Sequence, residues 1–257
     1  MSGLLKDKSV VIIGGTSGIG LSAGMALTVA GADVVLVGSP EGPQLKSGKK
    51  RTVLFADARH EGVAEHAIER CVQDFGSFDG LYHVAGGSGR KYGDGPIHQL
   101  SKEGWDFTFE LNLTSVMLSN RAAVNQFLKQ KSGGVILNTG SVLADHPSPE
   151  HFSTHAYAAS KAALSGLSKA MASAYASENI RVNVIAPGLT DTPMAARARK
   201  NKSIQNFIKQ KQPLDGGRMA RPSDLDGLAV FLFSDEARFI TGQIIKIDGG
   251  WSVTDSF

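Results

Sequence analysis

A chain of 257 residues, 42% hydrophobic and 20% charged, is long enough to bury a sizeable core and short enough to form one α/β domain. A formal charge of +3 is too small to point to nucleic acid, an aromatic content of 7% gives no regular stacking surface, and the longest apolar runs, such as Val10–Ile13 and Ala229–Phe233, cannot span a bilayer. Cys71 is the one cysteine, which excludes an intrachain disulfide and a cysteine-based zinc site; with no apolar run of signal-peptide length in Met1–Lys8, a cytoplasmic protein is expected.

In chain order, the first strand is predicted over Ser9–Ile13, followed by a glycine-rich turn and a helix over Gly20–Ala30. A strand over Asp33–Val37 leads into Ser39–Arg51, where Pro40, Gly42, Pro43 and Gly48 make a full helix improbable. Next come a strand over Thr52–Ala56, a helix over His60–Phe75 with Cys71 on its apolar side, and a strand over Gly80–Val84. A long helix over Ser101–Gln130 precedes a strand over Gly134–Thr139; a helix over Ala156–Ser177 precedes a strand over Arg181–Ala186, and Gln243–Ile247 is the last strand. Strands alternating with helices call for a doubly wound, Rossmann-like parallel sheet of about seven strands, in a single domain spanning residues 1–257. Continuous apolar runs such as Val34–Val37 fit strands buried on both faces, and ligands are then expected at the carboxyl ends of the strands.

Gly14-Gly15-Thr16-Ser17-Gly18-Ile19-Gly20 stands between the first strand and the first helix. A phosphate there needs close approach to backbone N–H groups at a helix N-terminus, and a Cβ at the glycines would obstruct the turn or the ligand. A tight turn without a ligand is the plain alternative, and the strand-to-helix position is what favours the phosphate.

Tyr157 and Lys161, four apart on a predicted helix, share a face. A phenol titrates near pH 10, and a neighbouring ammonium favours the phenolate, so Lys161 could tune Tyr157 as a general acid or base. Taken alone, a Tyr-x-x-x-Lys pair is more often a half-buried Tyr beside a solvated Lys. Ser141 places a hydroxyl at the end of a strand, where it could hold a carbonyl or an alkoxide, although such a serine is more often a turn residue. Asn112 interrupts a helical segment, where its residue type is mildly unfavourable and asks for a reason. His146, His151 and His155 fall close before Tyr157; they are read as loop residues or as pocket lining with Phe152, and no metal site is assigned.

Together these residues resemble the short-chain dehydrogenase/reductase family along nearly the whole chain. The resemblance implies hydride transfer between a nicotinamide cofactor and a carbonyl or alcohol substrate. Asn112, Ser141, Tyr157 and Lys161 match the family's catalytic tetrad: Tyr157 would move the proton, Ser141 would hold the substrate oxygen, Lys161 would bind the nicotinamide ribose and lower the Tyr157 pKa, and Asn112 would position a relay water. The cofactor would be held by Gly14, Thr16, Ser17, Gly18, Ile19 and Gly20, by Gly38 and Ser39, by Asp57 and Ala58 near adenine, and by Ala85 and Gly86. Pro187, Gly188 and Thr192 match the loop that holds the carboxamide, and Asp248-Gly249-Gly250 matches the usual ending of the last strand. Departures are Ile13 where the family usually has Thr, His83-Val84 in place of paired Asn, the short Ser39–Arg51 connection and about three extra residues between Ser141 and Tyr157. A non-catalytic sensor of the nicotinamide pool and an epimerase or lyase on the same scaffold are the alternatives.

An acid at the end of the second strand would select NAD(H), and Gly38-Ser39 supplies none; the arginine frequent in NADP-preferring relatives is missing too. Lys46, Lys49, Lys50 and Arg51 could offer charge to a 2′-phosphate but read more plainly as a solvated loop, so the balance tilts only slightly to NADP(H). Small residues on the Tyr157 helix, Ala159, Ala162, Ala163, Gly166, Ala170 and Ala174, would let another helix approach closely, and with the resemblance they imply a homotetramer. Residues 190–221 read as a substrate lid, with eight Lys or Arg and one acid, Asp215, between Met194 and Arg221. The plain reading is a solvated, mobile helix pair; the sharper one has Arg197, Arg199, Lys200 or Lys202 meeting an anionic group on the substrate.

Overall fold

The computed structural model describes residues 3–254 and places seven strands in one parallel sheet, in the order β3-β2-β1-β4-β5-β6-β7. The strands are β1 Ser9–Ile13, β2 Asp33–Gly38, β3 Arg51–Phe55, β4 Gly80–His83, β5 Gly134–Thr139, β6 Ile180–Pro187 and β7 Ile244–Ile247. Chain direction across the sheet reverses between β1 and β4, so a cleft opens at their carboxyl ends. The longer helices are α1 Gly18–Val29, α2 Val63–Phe75, α3 Lys102–Phe109, α4 Ser115–Gln130, α5 His155–Tyr175, α6 Ala196–Lys200, α7 Lys202–Lys211 and α8 Asp226–Phe233.

Strand alternation divides the core into two layers. Val10, Ile12, Val34 and Leu36 pack with Leu27 of α1 and Val230 of α8 on one face. Val11, Ile13, Val35 and Val37 pack with Ile68 and Cys71 of α2 and Phe127 of α4 on the other. Neither face of β1 or β2 meets water, which is why their sequences are apolar without a break.

Three local departures from simple periodicity bear on the site. No helix joins β2 to β3; turns and a bridge between Gly48 and Arg51 take its place, and Met25 and Val29 of α1 stand 58% and 78% exposed. The predicted single helix from Ser101 to Gln130 is interrupted by a π-helical turn, Glu110–Thr114, between α3 and α4. The third concerns residues 190–221, expected as a lid, where the picture of a solvated helix pair is corrected: Ala198, Ile204 and Ile208 are buried with Val142 and Trp251 in a core of their own. Its base is tied down by Gln212, whose Oε1 accepts from Leu189 N–H at 2.6 Å and whose Nε2 donates to the carbonyls of Leu189 and Arg218.

Candidate active site

The glycine turn has the shape of an anion cradle. Gly14 and Gly18 adopt φ of +87° and +49°, left-handed values that favour glycine, and a Cβ on Gly20 would land on the Gly14 carbonyl oxygen. The amides of Gly14 and Gly15 are spent on Val37 O, at 2.8 and 2.9 Å. The first turn of α1 is different, because Ser17 at its N-cap makes no side-chain bond to it and its early N–H groups keep no side-chain acceptor. That end of the helix suits a phosphate. Thr192, after β6, closes the turn from the other side, its Cγ2 lying 3.1 Å from where a Cβ of Gly18 would stand. Ile13, where the family usually has Thr, is buried, and the bracing comes from its carbonyl, which accepts from Val84 N and Ala85 N at 2.8 and 2.9 Å.

Around the cleft floor, Gly86 comes between two of the expected tetrad residues: a Cβ there would stand 2.8 Å from Asn112 Oδ1 and 3.3 Å from Lys161 Nζ. The π-helical turn supplies the reason for an asparagine in mid-helix. Asn112 Nδ2 donates to Thr108 O and Gly87 O, both at 2.8 Å, while its Oδ1 accepts from Gly87 N at 3.0 Å. Its side chain therefore caps carbonyls and stitches the helix to the loop after β4, beyond any part in a water relay.

Lys161 is buried and donates from Nζ to Thr139 O at 2.7 Å. Burial lowers its pKa to about 8, because no carboxylate accompanies the ammonium underground. The Nζ lies 5.8 Å from the centre of the Tyr157 ring. In this state burial raises the Tyr157 phenol above its usual range and the Ser141 hydroxyl draws it part of the way back. The expected lowering of Tyr157 by Lys161 is thus not the governing effect here: the ammonium is turned to a backbone carbonyl, and desolvation of the phenol wins. Ser141 Oγ accepts from Leu143 N at 3.2 Å, which leaves its own O–H able to donate elsewhere.

Two supporting residues escaped the sequence reading or were noticed only as oddities. Asp94, buried in a Gly-Asp-Gly turn after β4, accepts the amides of Ala156 and Tyr157 at 3.1 Å each, so a residue more than sixty positions upstream caps the helix that carries Tyr157. Sequence gave no signal for this, since a capping residue is sought next to its helix. His83 is buried beneath the floor, with Nε2 3.1 Å from Ala85 O and Nδ1 2.7 Å from Ser119 Oγ. A carbonyl only accepts, so Nε2 carries the hydrogen and Nδ1 receives the serine proton. Burial and the Lys161 charge push its pKa down to about 3, and it stays a neutral strut.

Of the other candidates, Pro187 ends β6 and Gly188 follows it, with Gly188 N donating to Ile247 O at 3.0 Å. Asp57 follows β3 and is gripped by Arg59, whose Nη2 reaches Oδ2 at 2.6 Å and whose bonds hold the carboxyl below its usual range; any contact to adenine shares Asp57 with that arginine. Ala58 packs partly buried against the second core layer. Gly38 cannot carry a side chain, because its Cβ would collide with Thr16 Oγ1, and Ser39 Oγ accepts from Glu41 N at 3.3 Å. The run Lys46–Arg51 does not serve this point. Arg51 pairs with Val34 at the far end of β2 while Phe55 pairs with Gly38, which separates them by four strand residues, on the order of 13 Å.

The three histidines do not converge. His146 lies against Asp145 and Lys246, at 3.1 and 3.2 Å, His151 packs edge-on to Phe152 and Phe207, and His155 is exposed at the start of α5. Among the described residues, no group of three His, Cys, Asp or Glu side chains is placed to hold a metal, and no helix is long and apolar enough to cross a membrane.

Residues 14–252 match the sequence profile of the family described as enoyl-(acyl carrier protein) reductase. The chain is similar to the 2-dehydro-3-deoxy-D-gluconate 5-dehydrogenase of Dickeya dadantii, 32% identical over 252 residues that cover 96% of each protein. Its fold is similar to that of a short-chain type dehydrogenase/reductase from Mycobacterium ulcerans, with a TM-score of 0.87, 27% identity and coverage of 100% of this chain and 93% of that one. It is also similar to a 3-ketoacyl-(acyl-carrier-protein) reductase from Brucella melitensis complexed with NADH, with a TM-score of 0.82, 27% identity and coverage of 97% and 100%.

Proposed function

This chain belongs to the short-chain dehydrogenase/reductase family and is a nicotinamide-dependent oxidoreductase, and on that footing we propose the parts its residues play. The cofactor's fit is argued from the uncapped start of α1, the side-chain-free cradle of Gly14, Gly18 and Gly20, and the gap at Gly86 that a Cβ would fill. When bound, the nicotinamide supplies the hydride in reduction and accepts it in oxidation. Tyr157 gives its phenolic proton to the substrate oxygen in reduction and takes it back in oxidation. Ser141 directs its free O–H at the same oxygen and stabilises the charge that gathers there. Lys161 turns its ammonium from Thr139 O toward ribose hydroxyls and, brought close to the phenolate, makes that anion less costly. Asn112 keeps the floor in register through Gly87.

The observation that carries this reading is the meeting of Asn112, Gly86 and Lys161 around one small gap at the carboxyl ends of the strands. We further propose that both nicotinamides are accepted with a small preference for NADP(H), that the protein is cytoplasmic and forms one domain, and that it assembles as a homotetramer. In support of assembly, Ala162, Ala163, Gly166, Ala170 and Ala174 of α5 are exposed in the single chain, as are Met117 and Leu128 of α4. The test is turnover of NADPH and NADH with a panel of ketones, keto acids and acyl thioesters, set beside Tyr157→Phe. Loss of the hydroxyl alone should lower kcat by roughly 10²-fold or more with cofactor still bound. Near-normal turnover in the Phe variant would remove Tyr157 from proton transfer.

A further inference from the structure

Two guanidinium groups meet at one peptide carbonyl in the segment that leads into α5. Arg90, in a 3₁₀ turn Gly89–Tyr92 after β4, donates through Nη2 to His151 O at 3.1 Å. Arg197, in α6 of the lid, donates through Nη2 to the same oxygen at 2.8 Å. A carbonyl oxygen holds only a partial charge, so it does not neutralise the two like charges that it gathers. Burial of part of the side chain is the main cause of a lowered Arg90 pKa; the charge of Arg197 adds to it and that of Asp94 opposes it.

Among the described residues no acid forms an ion pair with either arginine, although Arg90 feels the charge of Asp94. Both oxygens of Asp94 are taken by the amides of Ala156 and Tyr157, and Glu150 lies 3.4 Å from His151 Nε2. Arg59, Arg70, Arg121, Arg199 and Arg218 each hold a carboxylate; among the described residues Arg90 and Arg197, like Arg51, Arg181, Arg221 and Arg238, form no ion pair. Arg199 is tied to Asp191 at 2.7 Å, which takes it out of the set of lid cations open to a ligand.

The surroundings define the rest of the ligand. Arg197 lies over the ring of Phe152, 5.8 Å from its centre, and Phe152 packs against Phe207 and Trp251, 6.2 and 5.7 Å between ring centres. The two arginines therefore crown an aromatic wall formed by the segment that leads into α5, by α7 and by Trp251 after β7.

We propose that Arg90 and Arg197 form a subsite for a carboxylate on the substrate, so that this enzyme acts on oxo acids or hydroxy acids whose apolar middle rests on the Phe152 wall. The assignment depends on the oxidoreductase reading of the Tyr157 site for its reacting end only. The carboxylate displaces His151 O as the shared acceptor and puts one full negative charge, in place of a carbonyl's partial charge, between the two guanidinium groups, with the planar fork geometry that such groups match.

The test compares 4-oxocyclohexanecarboxylate with its methyl ester, a pair that differs in charge at one end. Each is titrated calorimetrically into the whole protein saturated with NADP⁺, where the ketone binds without turnover. The acid should bind at least about tenfold more tightly than the ester, and Arg90→Gln and Arg197→Gln should each weaken the acid by about tenfold while shifting the ester by no more than about twofold. Arg197→Lys, which keeps charge and loses the fork, should fall between. Tyr157→Phe should keep the preference for the acid while losing turnover with NADPH, so a fault in the proton-transfer reading shows in rates and a fault in the subsite shows in affinities. Wild-type protein that binds acid and ester alike or binds neither, or Gln variants that weaken both equally, would overturn the subsite.

Discussion

The floor of the cleft and its outer wall treat their polar side chains in opposite ways. On the floor, Asn112, His83, Lys161 and Asp94 are buried, and each is fastened to backbone groups at 2.7 to 3.1 Å. On the wall, Arg90, Arg197, Lys200 and Lys202 are exposed, and two of them share one carbonyl. The contrast follows from what each part must do. Proton transfer rewards groups held in place before the substrate arrives, because an error of an ångström is costly there. Recognition of a substrate's far end tolerates side chains that settle only when the ligand supplies their partner.

The strongest way to break the comparison is to relieve the floor of its burden. Lys161→Met removes a buried ammonium, and the floor reading says that this residue serves catalysis at the expense of stability. Activity should fall by roughly 10²-fold or more. The stability change has a defined pH window. With a folded pKa of about 8 against a model value of 10.5, the native state carries the full penalty below pH 8, and wild-type stability rises between the two values as the native lysine gives up its proton first. The Met variant lacks that rise. At pH 7 it should be more stable by roughly 1–2 kcal/mol, the loss of a donor to Thr139 O offsetting part of the gain. Thermal unfolding at pH 7 and 10 measures both; a variant less stable at pH 7, or a wild type that weakens above pH 8, would show that Lys161 is not strained by burial. Carbonyl reduction should likewise decline above about pH 8 as the ammonium is lost.

A smaller effect is expected at Asp94, whose carboxylate fixes the first turn of α5. Asp94→Ala should lower stability by about 1–2 kcal/mol, as losing a helix cap does, and reduce kcat by roughly tenfold through a displaced Tyr157. A cap that merely stabilised the fold would lower the melting temperature and leave kcat at temperatures below unfolding untouched. Kinetics at 25 °C beside a melting curve separate the two.

These residues also mark what was legible in the sequence. The strands were, because burial on both faces forces unbroken apolar runs such as Val10–Ile13, and so were the glycine turn and the Tyr157–Lys161 pair, whose spacing is local. Asn112 announced itself only as a misfit in a helix; the π-helical turn that accommodates it depends on Gly87, far away in the chain. Asp94 was invisible for the same reason. The lid was read as solvated because its cations dominate the composition, yet Ile204 and Ile208 recur every fourth residue on one face and are buried. Which of its cations have partners depends on Asp191 and His151, and no periodicity encodes that.

The least effect, and the one that sharpens the comparison most, lies at the proposed adenosine end, where Gly38 and Ser39 lead from β2 into a loop rather than the floor. Gly38 has no room for a side chain, so the obvious change toward NADH, Gly38→Asp, would push Thr16 out of the glycine turn and weaken both cofactors. Ser39 is the position open to substitution, since it is exposed and its hydroxyl holds only the Glu41 amide. Wild-type protein should bind NADPH and NADH within a factor of about three, a difference of under 1 kcal/mol. Ser39→Asp should repel the 2′-phosphate and favour NADH, and Ser39→Arg should favour NADPH, each by about tenfold, while kcat with saturating cofactor stays near wild type. Direct titration of both cofactors into the three proteins decides it. Should Gly38→Asp behave as Ser39→Asp does, the turn yields more easily than its packing against Thr16 suggests, and the rigidity ascribed to the floor would not extend to the phosphate cradle.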